Sequence, residues 1–477
     1  MRGARKRVEG VARLVAAATC VVTFAAAPVA RSAGASSQPR TRAAPGTQLW
    51  DAREAGSNHA FDQSAGFALS PDGMTVFVAG TSDGAFLLVS RDVRTGAKQW
   101  AVRTADPSGL QVFAESVATS PDGARVFVTG DVERSVDTRD SLTVAYRAGD
   151  GFVLWSAIEP AGDRREAIPI RIVASPDGAR VFVTGSRTGT HGIDDFWDYF
   201  TVAYDAANGA REWAATYDGG AHGGDTAQSI GVGDEGSLVF VTGTSQGAVT
   251  DRDFATVAYR ADDGAPQWVE RFDAGADDFA VDLAVDPNGR GVFVAGFGRR
   301  SLAEPHAFLV AAYTNAGVRR WVGRFADGGD DMAAAVATGD GSRVFVAGRG
   351  SGDFTTAAFD AAGGRLLWSA RYDGGHGFDA ANAIATSPDG AHVVVTGISN
   401  DGPIACFGDV KSASYATVEY GAATGTRAWV ARYSGRRDDP DEALSAVVNP
   451  DSTTALVTGN SDSGCPGSDV GTVAYQT

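Results

Sequence analysis

The residues best suited to chemistry are acids at one recurring position. Asp62, Asp225, Asp278, Asp331, Asp379 and Asp441 each stand just before a short apolar run. Three of them have a histidine three residues upstream: His59-Ala-Phe-Asp62, His222-Gly-Gly-Asp225 and His376-Gly-Phe-Asp379. A carboxylate beside an imidazole is a ligand set for a divalent ion such as Zn²⁺ or Mn²⁺. The competing reading is structural: Asp in a Gly-rich turn accepts backbone N–H bonds. Recurrence at one position favours the structural reading. No cofactor is expected, and a divalent metal stays open as the alternative.

A second candidate is His191-Gly-Ile-Asp-Asp-Phe196-Trp197-Asp198. An exposed Trp flanked by acids stacks on a sugar or a cation, whereas a buried one caps the core beneath a long loop. His191, Phe196 and Trp197 are therefore the ligand-binding candidates. The sequence holds no H-E-x-x-H helix or Walker loop. No residue is assigned as catalytic.

The elements that carry these residues are read from an internal repeat. Trp50, Trp100, Trp155, Trp213, Trp268, Trp321, Trp368 and Trp429 recur at spacings of 47 to 61 residues, and Trp197 alone falls outside the series. A second marker has the same count: the glycine ending V-F-V-T-G or a variant, at Gly80, Gly130, Gly185, Gly243, Gly296, Gly348, Gly397 and Gly459. In the seventh unit, Asn382–Thr386 reads as strand a, Val393–Thr396 as b, Thr417–Tyr420 as c and Arg427–Tyr433 as d. Ser387-Pro-Asp-Gly390 and Thr424-Gly425 supply turn chemistry between them. Four short strands per unit at this period predict an all-β fold, an eight-bladed β-propeller. Residues 48–53 read as a lone strand d and 471–475 as a strand c with no d after it, so the two ends share the closing blade. The ring Asp residues then lie in the d–a loops and circle the channel mouth. Arg53, Arg103, Arg271, Arg324, Arg371 and Arg432 each follow a repeat Trp by three, which predicts inter-blade salt bridges to ring Asp residues.

Ala203-Tyr-Asp205-Ala-Ala-Asn-Gly209-Ala-Arg-Glu-Trp213 resembles the tryptophan-docking repeat of the quinoprotein alcohol dehydrogenases, which are also eight-bladed. Segments such as Ser120 to Val128 look like the repeats of exported bacterial β-propellers. The resemblance covers about residues 48–477 and implies architecture more than activity. Quinoproteins carry a vicinal cysteine pair and long insertions around their cofactor, and this chain has neither. The expectation is a non-enzymatic exported scaffold that binds a protein or glycan through its long-loop face. The alternative is a quinoprotein-type oxidoreductase or metal-dependent hydrolase acting at the channel mouth.

The N-terminus supports export. Arg2, Arg5, Lys6 and Arg7 precede an uncharged apolar run from Leu14 to Ala30, followed by Ala33-Gly34-Ala35. Residues 1–35 read as a signal peptide, 36–46 as a flexible leader and 47–477 as one propeller domain. The product is expected to be secreted, at the cell surface or periplasmic, and monomeric, with no membrane insertion after cleavage. The net charge of −17 disfavours nucleic acid as a partner.

After cleavage two cysteines remain, Cys406 and Cys465, in b–c loops of adjacent blades. An oxidising compartment would preserve a disulfide between them. Thiol titration of the denatured, unreduced mature chain should find no free thiol. Two titratable thiols would reject the bond.

Overall fold

The structure is a computed structural model and describes residues 43–56, 62–135, 138–162, 166–189, 196–247, 252–375, 377–400, 413–435, 441–461 and 468–477. These residues form 32 strands in eight four-stranded antiparallel sheets, the blades of a propeller. Blade 4 is typical, with strand a at Asp225–Gly233, b at Leu238–Gln246, c at Arg252–Arg260 and d at Pro266–Phe272. Strands b and c are buried on both faces because neighbouring blades cover them, which explains their continuous apolar runs. Strand d is half exposed on the outer rim. No helix among the described residues is long and apolar enough to cross a membrane.

The closing blade is shared as expected. Its strands are Glu442–Val448, Thr454–Ser461, Asp469–Gln476 and the N-terminal Gln48–Glu54. Trp50 pairs with Ala474 and Glu54 with Val470. In blade 7, strand d occupies Arg427–Tyr433, as read from sequence. Strands a, b and c extend further than expected, to Asp379–Thr386, His392–Asn400 and Ala413–Gly421. The polar residues that mask their ends in the sequence are still paired in the ladder.

One contact joins every blade to the next. The repeat Trp of strand d lies on the glycine of the following blade's c–d turn: Trp50 on Gly96, Trp100 on Gly151, Trp155 on Gly209 and so on round the ring. Each of these glycines has a positive φ, and a Cβ there would meet the indole ring. Seven of the eight indole N–H groups donate to a backbone carbonyl in that same turn, for example Trp155 to Ala206 O at 3.1 Å and Trp213 to Ala261 O at 2.8 Å. At Trp155, Trp213, Trp268 and Trp368 the indole is wedged between a Phe of its own strand b and a Tyr of the next strand c. Trp213 lies 5.8 Å from Phe182 and 6.1 Å from Tyr259. At the seam Trp429 docks on Gly46 and lies tilted against Tyr475, with ring centroids 5.7 Å apart. Gly46, read from sequence as the last leader residue, thus takes the turn position of blade 8. Its N–H donates to Gln476 O at 2.7 Å.

The a–b turns are closed by their own side chains. In Ser120-Pro-Asp-Gly123, Arg125 N donates to Ser120 Oγ and Ala124 N to Asp122 Oδ1, both at 2.9 Å. The arrangement repeats at Ser175 and Ser387.

Gly46 and Gly109 separate the docking contact from backbone strain. Both have positive φ, 79° and 74°, but a Cβ at Gly46 would sit 2.9 Å from Trp429 Cβ, whereas Gly109 has open space. Gly109→Ala should cost about 1 kcal/mol, the left-handed term alone. Gly46→Ala should cost about 2–4 kcal/mol, because the indole must also shift. Equal losses by urea denaturation would reject the docking role.

Candidate functional site

The acids all lie on the face made by the d–a and b–c loops. Every ring Asp is present at the mouth of strand a, and every one is buried, at 0–1% exposure. Each accepts a backbone N–H from the loop ahead of it: Asp225 from Gly219 at 2.6 Å, Asp331 from Asp327 at 2.9 Å, Asp379 from Gly374 at 2.7 Å. Asp62, Asp278 and Asp441 do the same with Gly56, Ala274 and Gly435. This is the turn-capping role that Asp side chains commonly fill.

Burial raises several of these carboxyls above the usual range, and a neighbouring serine limits the rise. The Ser82 hydroxyl draws Asp62 down, and the Ser245 hydroxyl does the same for Asp225. Both serines sit two residues after the V-T-G glycine at the end of strand b. In blades 5 and 6 that position is Gly298 and Gly350, where a side chain would collide with the Asp carboxylate. Without the hydroxyl donor, burial pushes Asp278 and Asp331 up to about 7.

Three ring Asp residues belong to larger acidic groups. Asp198, Asp218 and Asp225 bring carboxylate oxygens within 4.8 Å of one another, as do Asp253, Asp273 and Asp278, and Asp353, Asp373 and Asp379. Each trio takes one acid from the start of strand c, one from the residue after strand d and one from strand a of the next blade. His222 does not join Asp225. Its Nδ1 lies 2.7 Å from Asp218 Oδ2 instead. His59 and His376, proposed beside Asp62 and Asp379, lie outside the described residues, as do His191, Cys406 and Cys465. The ring carboxylates stand in different blades, so no one ion bridges Asp62, Asp225 and Asp379.

Trp197 opens strand c of blade 3, Trp197–Asp205, and pairs with Thr188. It is half-buried, and Phe196 beside it is exposed. Asp198 follows Trp197 in that strand and belongs to the first acidic trio, at the junction of blades 3 and 4. The sequence reading missed Asp198, Asp218, Asp253, Asp273, Asp353 and Asp373. The available signal was the repeat itself: Tyr217-Asp218, Phe272-Asp273 and Tyr372-Asp373 occupy one aligned position.

The arginines pair differently from expectation. Arg271 donates to Asp253 of its own blade at 2.8 Å and reaches Tyr217 OH of the preceding blade at 3.2 Å. Arg371 pairs with Asp353 of its own blade. Arg53 bridges to Tyr433 OH at 2.9 Å. Arg271 and Arg53 thus join adjacent blades through a tyrosine hydroxyl, whereas Arg371 reaches Asp327 of the preceding loop at 3.8 Å besides its partner within the blade. A cavity of about 490 Å³ lies at the closing seam, lined by Asp51, Arg53, Arg432 and Tyr433 among others. It is away from the acidic trios.

No protein-family model and no curated protein sequence matches the chain. Solved structures do. The quinohemoprotein alcohol dehydrogenase of Comamonas testosteroni shares 12% identity over 90% of this chain and 76% of its own, with a TM-score of 0.54. The Dos1 propeller shares 11% over 90% and 94%, with a TM-score of 0.56. Chaetomium thermophilum Sqt1, bound to the N-terminus of ribosomal protein L10, shares 13% over 89% and 98%, with a TM-score of 0.57. These likenesses establish the fold and not an activity.

The serine-to-glycine exchange predicts a pH dependence. Asp331 takes up its proton near 7 in the folded chain and near 3.8 when unfolded. Its contribution to stability is complete below pH 3.8 and is lost as pH rises through about 7. Asp331→Asn keeps the bond from Asp327 N and removes the ionisation. Thermal melts should show a higher melting temperature than wild type at pH 8 and a flatter profile between about pH 4 and 7. A wild-type slope in the variant would reject the assignment.

Proposed function

We propose that this chain is an exported, non-catalytic propeller scaffold that binds a protein or glycan through the face built by its d–a and b–c loops. The carrying observation is that the two faces are built differently. On the turn face, Ser and Asp side chains close the a–b turns and docked glycines close the c–d turns. On the loop face stand the acidic trios, exposed Phe196 and half-buried Trp197. Variable loops on a rigid scaffold are where binding residues concentrate. An aromatic beside carboxylates suits a sugar ring or a cationic side chain. The Sqt1 propeller, seen with a protein N-terminus bound, supports the fold as a host for such a partner. The basic and apolar N-terminal segment supports a secreted, cell-surface or periplasmic site of action.

A glycan array and a displayed peptide library, both screened on the purified chain, test the reading. Selected binders should lose at least about tenfold in affinity with Trp197→Ala, the loss of a central aromatic contact. They should be indifferent to Met74→Asp on the turn face. Binders that ignore Trp197 and respond to Met74, or a stoichiometric quinone absorbance in the purified protein, would replace this reading.

A further inference from the structure

The acidic trios follow a rule within the repeat. The residue at the start of strand c and the residue after strand d match in type in six of the eight blades. They are Ala85 and Ala105 in blade 1, Asp198 and Asp218 in blade 3, Asp253 and Asp273 in blade 4. In blades 5, 6 and 7 they are Ala307 and Ala326, Asp353 and Asp373, Ser414 and Ser434. Blades 2 and 8 depart from the rule, with Asp140 and Pro160, and Asp469 and Ala55. In blade 7 the two positions touch: Ser414 Oγ and Ser434 Oγ are hydrogen-bonded at 2.7 Å. Two hydroxyls can bond each other directly. Two carboxylates at the same positions cannot, and the ring Asp adds a third.

The junction of blades 6 and 7 shows what the arrangement lacks. Asp353 accepts from Arg371 Nε, Asp373 Oδ1 from Gly375 N at 2.9 Å, and Asp379 Oδ2 from Gly374 N at 2.7 Å. Each carboxylate is thus fixed through one oxygen. Asp379 is fully buried, and its Oδ1 has no hydrogen-bond donor. A buried carboxylate oxygen without a donor carries a desolvation cost that a bound cation removes. Three carboxylates and one guanidinium leave two net negative charges within the group.

We propose that Asp353, Asp373 and Asp379 bind Ca²⁺ at the junction of blades 6 and 7. All three ligands are carboxylate oxygens, which selects a hard cation over zinc or copper. They come from a strand start, a loop and the next blade, an irregular set that suits the flexible coordination of calcium better than the strict octahedron of magnesium. The ion pins strand c of one blade to strand a of the next, on the face opposite the tryptophan docks.

Calorimetric titration of calcium into the EDTA-treated full chain tests this. Binding is expected with Kd on the order of 10⁻⁴ M, with a higher melting temperature in calcium. Asp373 is an exposed loop residue, so Asp373→Asn should fold and should lose one site from the stoichiometry. The double variant Asp353→Ser/Asp373→Ser copies the pair that blade 7 already uses. It should lose the same site while keeping its calcium-free melting temperature. Terbium emission sensitised by Tyr372, which precedes Asp373, should fall in both variants. No binding in the wild-type chain up to about 10 mM calcium, a concentration well above extracellular affinities, would overturn the proposal. So would unchanged stoichiometry in both variants.

Discussion

The ring depends on an indole laid against a glycine. A four-stranded blade buries one face against each neighbour, so the architecture holds only if every blade meets the next at the same offset. The tryptophan sets that offset in three ways. Its ring fills the space that a Cβ would take on the glycine, its N–H binds a carbonyl in the same turn at seven of the eight junctions, and at four of them it meets a Phe and a Tyr from different blades. The glycine is required twice, for its positive φ and for its missing side chain. The hydrogen bond contributes about 1 kcal/mol and the buried ring about 2–3 kcal/mol, and the contact recurs at every junction. Loss of one dock therefore weakens a closed ring at one place.

The opposite face solves the same problem with polar atoms. Ring Asp residues cap the d–a loops, and arginines on strand d reach back to a tyrosine of the preceding blade. Polar junctions tolerate variation that the docks do not. The serine beside the ring Asp becomes glycine in blades 5 and 6, and the strand c and strand d pair changes from Ala to Ser to Asp. Each exchange leaves the backbone in place and alters charge and proton affinity. That is how one face of a repeat protein becomes individual while the other stays uniform.

Architecture was legible in the sequence because its determinants are local. Trp213 and its own Gly209 lie four residues apart on one strand and turn, and V-F-V-T-G marks strand b without reference to any other blade. The chain ends declared the shared blade in the same way. The acidic trios were not legible, because each unites residues from two blades. Asp353 and Asp373 stand twenty positions apart, and Asp379 belongs to the next repeat. His222 was misleading for the reverse reason. His222 is close to Asp225 in sequence, but strand a turns Asp225 into the interior while His222 stays with Asp218 at the surface. The arginine partners were misassigned because an ion pair within one blade and one between blades look alike at this spacing.

The seam shows the same logic where the repeat is interrupted. Seven indoles find a carbonyl in the turn that receives them, but Trp429 does not, and its N–H meets no backbone acceptor. Its receiving turn is built from residues at opposite ends of the sequence, Gly46 and Gln476. Opposite Trp429 in the ladder is Glu419, where blades 2 to 6 and 8 carry alanine and blade 1 carries Ser90. Its buried carboxyl faces the indole N–H, and His392 approaches to 2.9 Å. Burial raises the Glu419 carboxyl, while His392 and the indole draw it down. A charged residue in an apolar wedge would be a defect in any other blade. At the seam this carboxyl stands opposite the one repeat indole whose N–H finds no turn carbonyl, where the receiving turn is divided between the two chain ends.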